Sequence, residues 1–210
     1  MLDVMMWADI RCPWCWIGLR RLQVAAKEIP GGLRVRHRSF LLEPAGPASP
    51  GRLVADIAVS EWGMTAEQWR AKSAAIRAQG RQEGLDIRID TTAVVDSRPA
   101  HRLLHAAADN GVDPTTAWEA AFDAHLRRNV DLADPAALLD LADQIGLPRP
   151  AVRSLLAGED YADAVVADHQ AAVSRGIHGV PTIVAGDHTL TGSRSVAELG
   201  DFLMTAGSGQ

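Results

Sequence analysis

The chain has 210 residues, 47% hydrophobic and 22% charged, with a net charge of −5 and two cysteines. This balance is that of an ordinary globular protein and excludes a fibrous or low-complexity chain, and the length allows a sizeable core without a covalent staple. The mild acidity, with both signs interspersed, argues against nucleic acid or an anionic membrane surface as the main partner.

The opening MLDVMMWADI lacks a basic segment, and Asp3 and Asp9 interrupt its apolar run, so it does not read as a signal peptide. No stretch approaches the ~18 apolar residues of a membrane span. The expectation is a cytoplasmic protein with no membrane or nucleic-acid partner. In a reducing compartment, two cysteines three apart point to catalysis or metal binding and not to a structural disulfide.

Residues Leu2 to Ala8 read as a buried strand, followed by a turn and a helix from about Pro13 to Glu28. That helix carries Trp16, Ile17, Leu19, Leu22, Val24 and Ala25 as its apolar pattern and stops at Pro30-Gly31-Gly32. Leu33 to Phe40 alternates apolar and polar residues, as a half-buried strand does. Glu43 to Gly51 is a Pro/Gly-rich loop, and from about Ser60 to Gly176 the pattern is almost all helical. Thr65 with Gln68, and Ser195 with Glu198, are capping boxes. Asp113-Pro114 and Asp134-Pro135 place an N-cap before proline, and Gly111, Gly146 and Gly176 stand at helix ends. Val180 to Ala185 is a short strand beginning with proline, His188 to Thr191 its partner across Gly186-Asp187, and the last helix runs through Leu199 and Leu203 before a frayed TAGSGQ. The expected fold is α/β: a thioredoxin-like core (βαβ…ββα) of residues 1–43 and 177–210, with a large all-helical insertion of residues 44–176.

Cys12 and Cys15 lie at the mouth of the first helix, in RCPWCWIG. The positive end of a helix stabilises a thiolate, the attacking species in disulfide exchange. Cys15, one turn further in, should be more buried and less acidic, so Cys12 is expected to attack and Cys15 to resolve. Pro13 suits the first helical turn, and Trp14 offers a rigid surface beside the sulfurs. The competing reading, half of a zinc site, needs two further ligands. No second CxxC exists, and His37, His101, His105, His125, His169, His178 and His188 lack finger spacing, so no metal site is expected. Val180-Pro181 is the second candidate feature: in cis, a proline opening a strand would turn the backbone towards the cleft and leave the Val180 N–H and C=O for an extended substrate, and the alternative is an ordinary trans proline after a glycine loop. Trp62, Trp69 and Trp118 read as helix-bundle core, with a lid over the cleft as the alternative.

CPWC followed by WIG, with GIHGVPT near the end, resembles the DsbA family of thioredoxin-fold oxidoreductases, and DIRCPWCWIGLRRL, SFLLEP, PAHRLLHAA and RGIHGVPTIV are similar to its FrnE-like branch. The resemblance implies a cis peptide before Pro181 facing Cys12, with Pro13, Trp14, Val180 and Pro181 contacting substrate. It implies a disulfide- or thiol-bearing protein or small molecule as partner, no bound cofactor, and recycling by a thioredoxin system or by glutathione as co-substrate. The branch has Asn-Thr where this chain has Asp96-Ser97, so no role passes to Asp96. His101 matches the branch's histidine and is expected to be structural. Glutathione-dependent isomerases of the 2-hydroxychromene-2-carboxylate type and kappa-class transferases share the architecture. They typically carry serine at the position of Cys12 and lack the partner of Cys15.

Overall fold

The computed structural model describes residues 1–208, so the last two residues of the expected frayed tail lie outside it. Four strands form one mixed sheet in the order β2-β1-β3-β4, where β1 is Leu2–Ala8, β2 Leu33–Ser39, β3 Thr182–Ala185 and β4 His188–Thr191. β1 runs parallel to β2 and antiparallel to β3, and β3 and β4 form a hairpin. The strands that alternate least, β1 and β3, hold the centre, and the polar-alternating β2 lies at an edge, as burial on two faces against one requires.

Helix α1 (Pro13–Ala25) connects β1 to β2 and packs beside the C-terminal α9 (Val196–Gly207). Ile17, Leu19 and Leu22 are fully buried, whereas Val24, assigned to the same stripe from the sequence, is 43% exposed. The helix ends in a 3-10 turn over Ala26–Glu28, which rotates the chain before the Gly31-Gly32 reversal. The capping boxes at Thr65 and Ser195 and the aspartate caps at Asp113 and Asp134 are all formed. α9 continues through Thr205–Gly207, so the first half of the expected frayed end is helix.

Seven helices lie between β2 and β3: α2 (Val54–Ser60), α3 (Ala66–Gln82), α4 (Arg98–Asp109), α5 (Pro114–Phe122), α6 (Pro135–Ile145), α7 (Arg149–Ala157) and α8 (Ala162–Ser174). Helical structure starts earlier than the expected Ser60 and is broken by an extended stretch after Gly84. There Leu85, Ile87 and Ile89 are buried and alternate with Asp86, Arg88 and Asp90, a period of two that no helix satisfies. The segment around Leu53 pairs with Ala93 through a short antiparallel bridge. One cluster of buried side chains runs from Val4 and Met6 of β1 through α1 into α4, α5 and α6, so sheet and helices share a core. On the other sheet face Trp7, Phe40 and Val184 meet Ala172 of α8. There Asp168 accepts from the Ser39 N–H at 2.9 Å, from Arg38 at 2.7 Å and from His105 at 3.1 Å, tying α8 and α4 to β2.

Candidate active site at the mouth of the first helix

Cys12 is the N-cap of α1, with extended backbone angles, and Pro13 follows as the first helical residue. The turn is closed by the Cys12 N–H donating to the Asp9 carbonyl at 3.0 Å and the Cys15 N–H to the Cys12 carbonyl at 3.0 Å. Both cysteines are free thiols. Cys12 retains 6% exposure and Cys15 none. Burial pushes the Cys15 thiol well up from its ordinary value, and the adjacent Cys12 sulfur adds to the shift. The two sulfurs therefore differ in access and in environment in the sense expected for an outer and an inner thiol.

The Val180-Pro181 peptide is cis, and the Cys12 thiol reaches the Val180 carbonyl at 3.7 Å. What permits this approach is Gly18. A Cβ there would stand 3.0 Å from Pro181 Cγ, so a bare helix face lets the proline ring settle one turn below the cysteines. Arg21, 8% exposed, fixes the same corner by pairing with Glu83 at 2.6 Å and reaching the Ser193 carbonyl at 3.4 Å.

Cys12 opens into a cavity of about 340 Å3 that it shares with Pro13, Trp14, Trp62, Trp69 and His125. Trp62 and Trp69 thus wall the cleft, whereas Trp118 is buried away from it, stacked on His37 and edge-on to His101. The larger cavity, about 690 Å3, lies along β2 among Arg34, Arg36 and Arg38 and contains neither cysteine nor Pro181. It brings no thiol, so disulfide chemistry belongs to the smaller one.

Two residues that sequence reasoning did not assign stand behind the thiols. Asp9 is fully buried. Its Oδ1 accepts from the Arg11 N–H at 3.0 Å, and its Oδ2 from the Leu42 N–H at 2.9 Å and the Ser97 hydroxyl at 3.2 Å. His101 Nε2 lies 3.7 Å from Oδ1, beyond hydrogen-bond range but within ion-pair range. Burial opposes ionisation of Asp9, yet His101 and the two backbone donors more than offset it and hold the carboxyl below its ordinary value. His125 reaches the cavity from Asp123–Arg127, a single π-helical turn following α5. Such turns re-aim side chains and recur at functional sites, and no residue pattern marks this one in advance. Burial pushes the His125 pKa down, and its Nδ1 lies 3.2 Å from the Val130 carbonyl. His101 and His105, four apart on α4, face different carboxylates, Asp9 and Asp168. Among the described residues no group of three or more metal-ligating side chains converges.

The DSBA-like thioredoxin domain model matches residues 3–204. The chain belongs to that family. It is similar over its whole length to a probable DsbA oxidoreductase from Streptomyces coelicolor, at 30% identity and a TM-score of 0.95 over 92% of that chain. A putative protein disulfide isomerase from Nitrosomonas europaea shares the fold at 19% identity and a TM-score of 0.77, with coverage of 100% and 98% of the two chains. The cytosolic disulfide reductase DsbM from Pseudomonas aeruginosa, solved with GSH, shares it at 19% and 0.64, with coverage of 99% and 98%. No curated protein matches the sequence significantly. The matched span includes the helices between β2 and β3, and no helix among the described residues is long and apolar enough to cross a membrane.

Proposed function

We propose that the protein is a dithiol–disulfide oxidoreductase in which the Cys12 thiolate attacks a substrate disulfide and Cys15 resolves the mixed disulfide. The observation that carries this reading is the asymmetry of the pair: Cys12 faces the cavity at a helix N-terminus, and Cys15 is sealed beneath it. In the reductive direction the Cys12 sulfur bonds to one substrate sulfur as the second leaves as thiolate. Cys15 then bonds to Cys12 and releases the remaining substrate thiolate. The substrate gains two electrons, and an external thiol must reduce the new Cys12–Cys15 disulfide. Glutathione fills that role in this reading, which the likeness to a disulfide reductase solved with GSH supports. The same likeness, to a cytosolic protein, supports the cytoplasm as its compartment. Pro13, Trp14, Val180 and Pro181 form the substrate-facing surface, and membership of the FrnE-like branch is part of the proposal.

The fold is also close to that of 2-hydroxychromene-2-carboxylate isomerase, at 18% identity and a TM-score of 0.64. That likeness is one of fold, and the paired free thiols favour redox exchange over thiol-assisted isomerisation. Cys12→Ser is expected to abolish reduction of insulin by dithiothreitol, and Cys15→Ser to accumulate mixed disulfides visible by mass spectrometry. Full activity in Cys12→Ser would overturn the assignment.

A further inference from the structure

The cavity beside Cys12 has more to it than a place for a sulfur. At about 340 Å3 it lies at the lower end of the ~300–1,000 Å3 spanned by small-molecule pockets. Its walls are largely apolar: Trp14 at the helix mouth, Trp62 at the rim with 52% exposure, and Ile76 and Val94 within. One charged group on this wall is unspent. Trp69 is 6% exposed and contributes ring surface only, because its Nε1 is sealed from the cavity. Lys72, three residues on along α3 and therefore on the same helix face, forms no ion pair among the described residues. The other cation here, Arg11, is already paired with Glu43 at 2.5 Å. The surplus in the cavity is thus one positive charge, set among aromatic rings beside a thiol.

We propose that this cavity selects small, largely aromatic disulfides bearing an anionic oxygen such as a carboxylate, with Lys72 as the specificity determinant. The inference rests on Cys12 being the attacking thiol. The ring would lie between the tryptophans, the carboxylate would pair with Lys72, and the disulfide would face Cys12. The exchange itself is unchanged: one S–S bond is exchanged for another, and a dithiol reductant in solution restores the enzyme.

The test is stopped-flow reaction of the reduced protein with two aromatic disulfides, the dianionic dithiobis(nitrobenzoate) and the uncharged dithiodipyridine, read by the released thiolate or thione. The anionic probe is expected to saturate. Lys72→Gln should raise its half-saturating concentration about 3- to 10-fold, the range of a partly exposed charge-assisted contact. The Lys72→Gln shift should be confined to the anionic probe, and Lys27→Gln, beyond the far end of α1, should shift neither. Equal half-saturation by the two probes in wild type and in Lys72→Gln, with Cys12-dependent exchange intact, overturns the inference and leaves the exchange reading standing. Exchange that persists in Cys12→Ser overturns the reading beneath it.

Discussion

Both carboxylate oxygens of Asp9 are occupied by donors from three separate parts of the chain: the turn at Arg11, the segment after β2 at Leu42 and the start of α4 at Ser97. The side chain thereby holds in one place the turn that carries Cys12, the segment leaving β2 and the start of α4. A neutral isostere tests this. Asp9→Asn must direct an amide N–H2 at one set of backbone donors, leaving buried N–H groups facing each other. The expected cost is about 1–3 kcal/mol of stability in urea unfolding, with slower exchange at Cys12. Wild-type stability in the variant would show the carboxylate to be incidental. The two cysteines were legible in the sequence because their relation is local, three residues within one helical turn. Asp9 was not, because its partners lie 33 and 88 residues away and a lone aspartate in a turn looks the same whether solvated or sealed.

The elements were legible where their signals are chemical and short. Capping boxes, aspartate–proline starts and the Gly186-Asp187 hairpin turn each involve a few adjacent residues whose hydrogen bonds close among themselves, so the sequence contains the whole interaction. Signals that depend on what packs alongside were missed. Val24 fits the helical apolar stripe of α1, yet no element covers it. Leu85–Ile87–Ile89 alternates as a strand would, but pairs with no sheet and was absorbed into the neighbouring helices. Gly18 belongs to this second class: inside a helix glycine costs about 1 kcal/mol relative to alanine, and only the Pro181 ring explains its presence. Gly18→Ala gains helix propensity and loses fit, so overall stability should change little. Exchange at Cys12, measured with the same chromogenic disulfides, should nevertheless fall by about 10-fold as the Pro181 loop is displaced from the sulfur. Unchanged exchange rates in Gly18→Ala would mean that the loop is not held by this contact.

For the whole molecule, the pH dependence of stability follows from two histidines, His37 of β2 packed against Trp118 and His125 of the π-helical turn. Burial lowers the pKa of His37 to about 4 and also lowers that of His125. Unfolded histidine titrates near ~6.5, so between about pH 6.5 and 4 the unfolded chain binds protons that the folded one does not. Stability is therefore expected to fall as pH drops through that window. Asp9 and Asp168, held below their ordinary values, add a further loss at lower pH as they are forced to protonate. His37→Phe preserves the stack on Trp118 and removes one titrating group, so its stability between pH 6.5 and 4 should decline less steeply than that of wild type in urea titrations. Parallel slopes would exclude His37 as a contributor. The order βαβ, helices, ββα was readable end to end, whereas the cavity was not, because its walls come from α1, α3, the extended stretch and the π-helical turn at once. That shared construction also makes Gly18 an instrument of alignment. The spacing between the sulfur and the Val180 carbonyl is set by a missing methyl group, a mechanical stop machined by subtraction. Two halves of the chain joined at such a stop can only meet in one relative position, and the nucleophile inherits its aim from a residue that has no side chain at all.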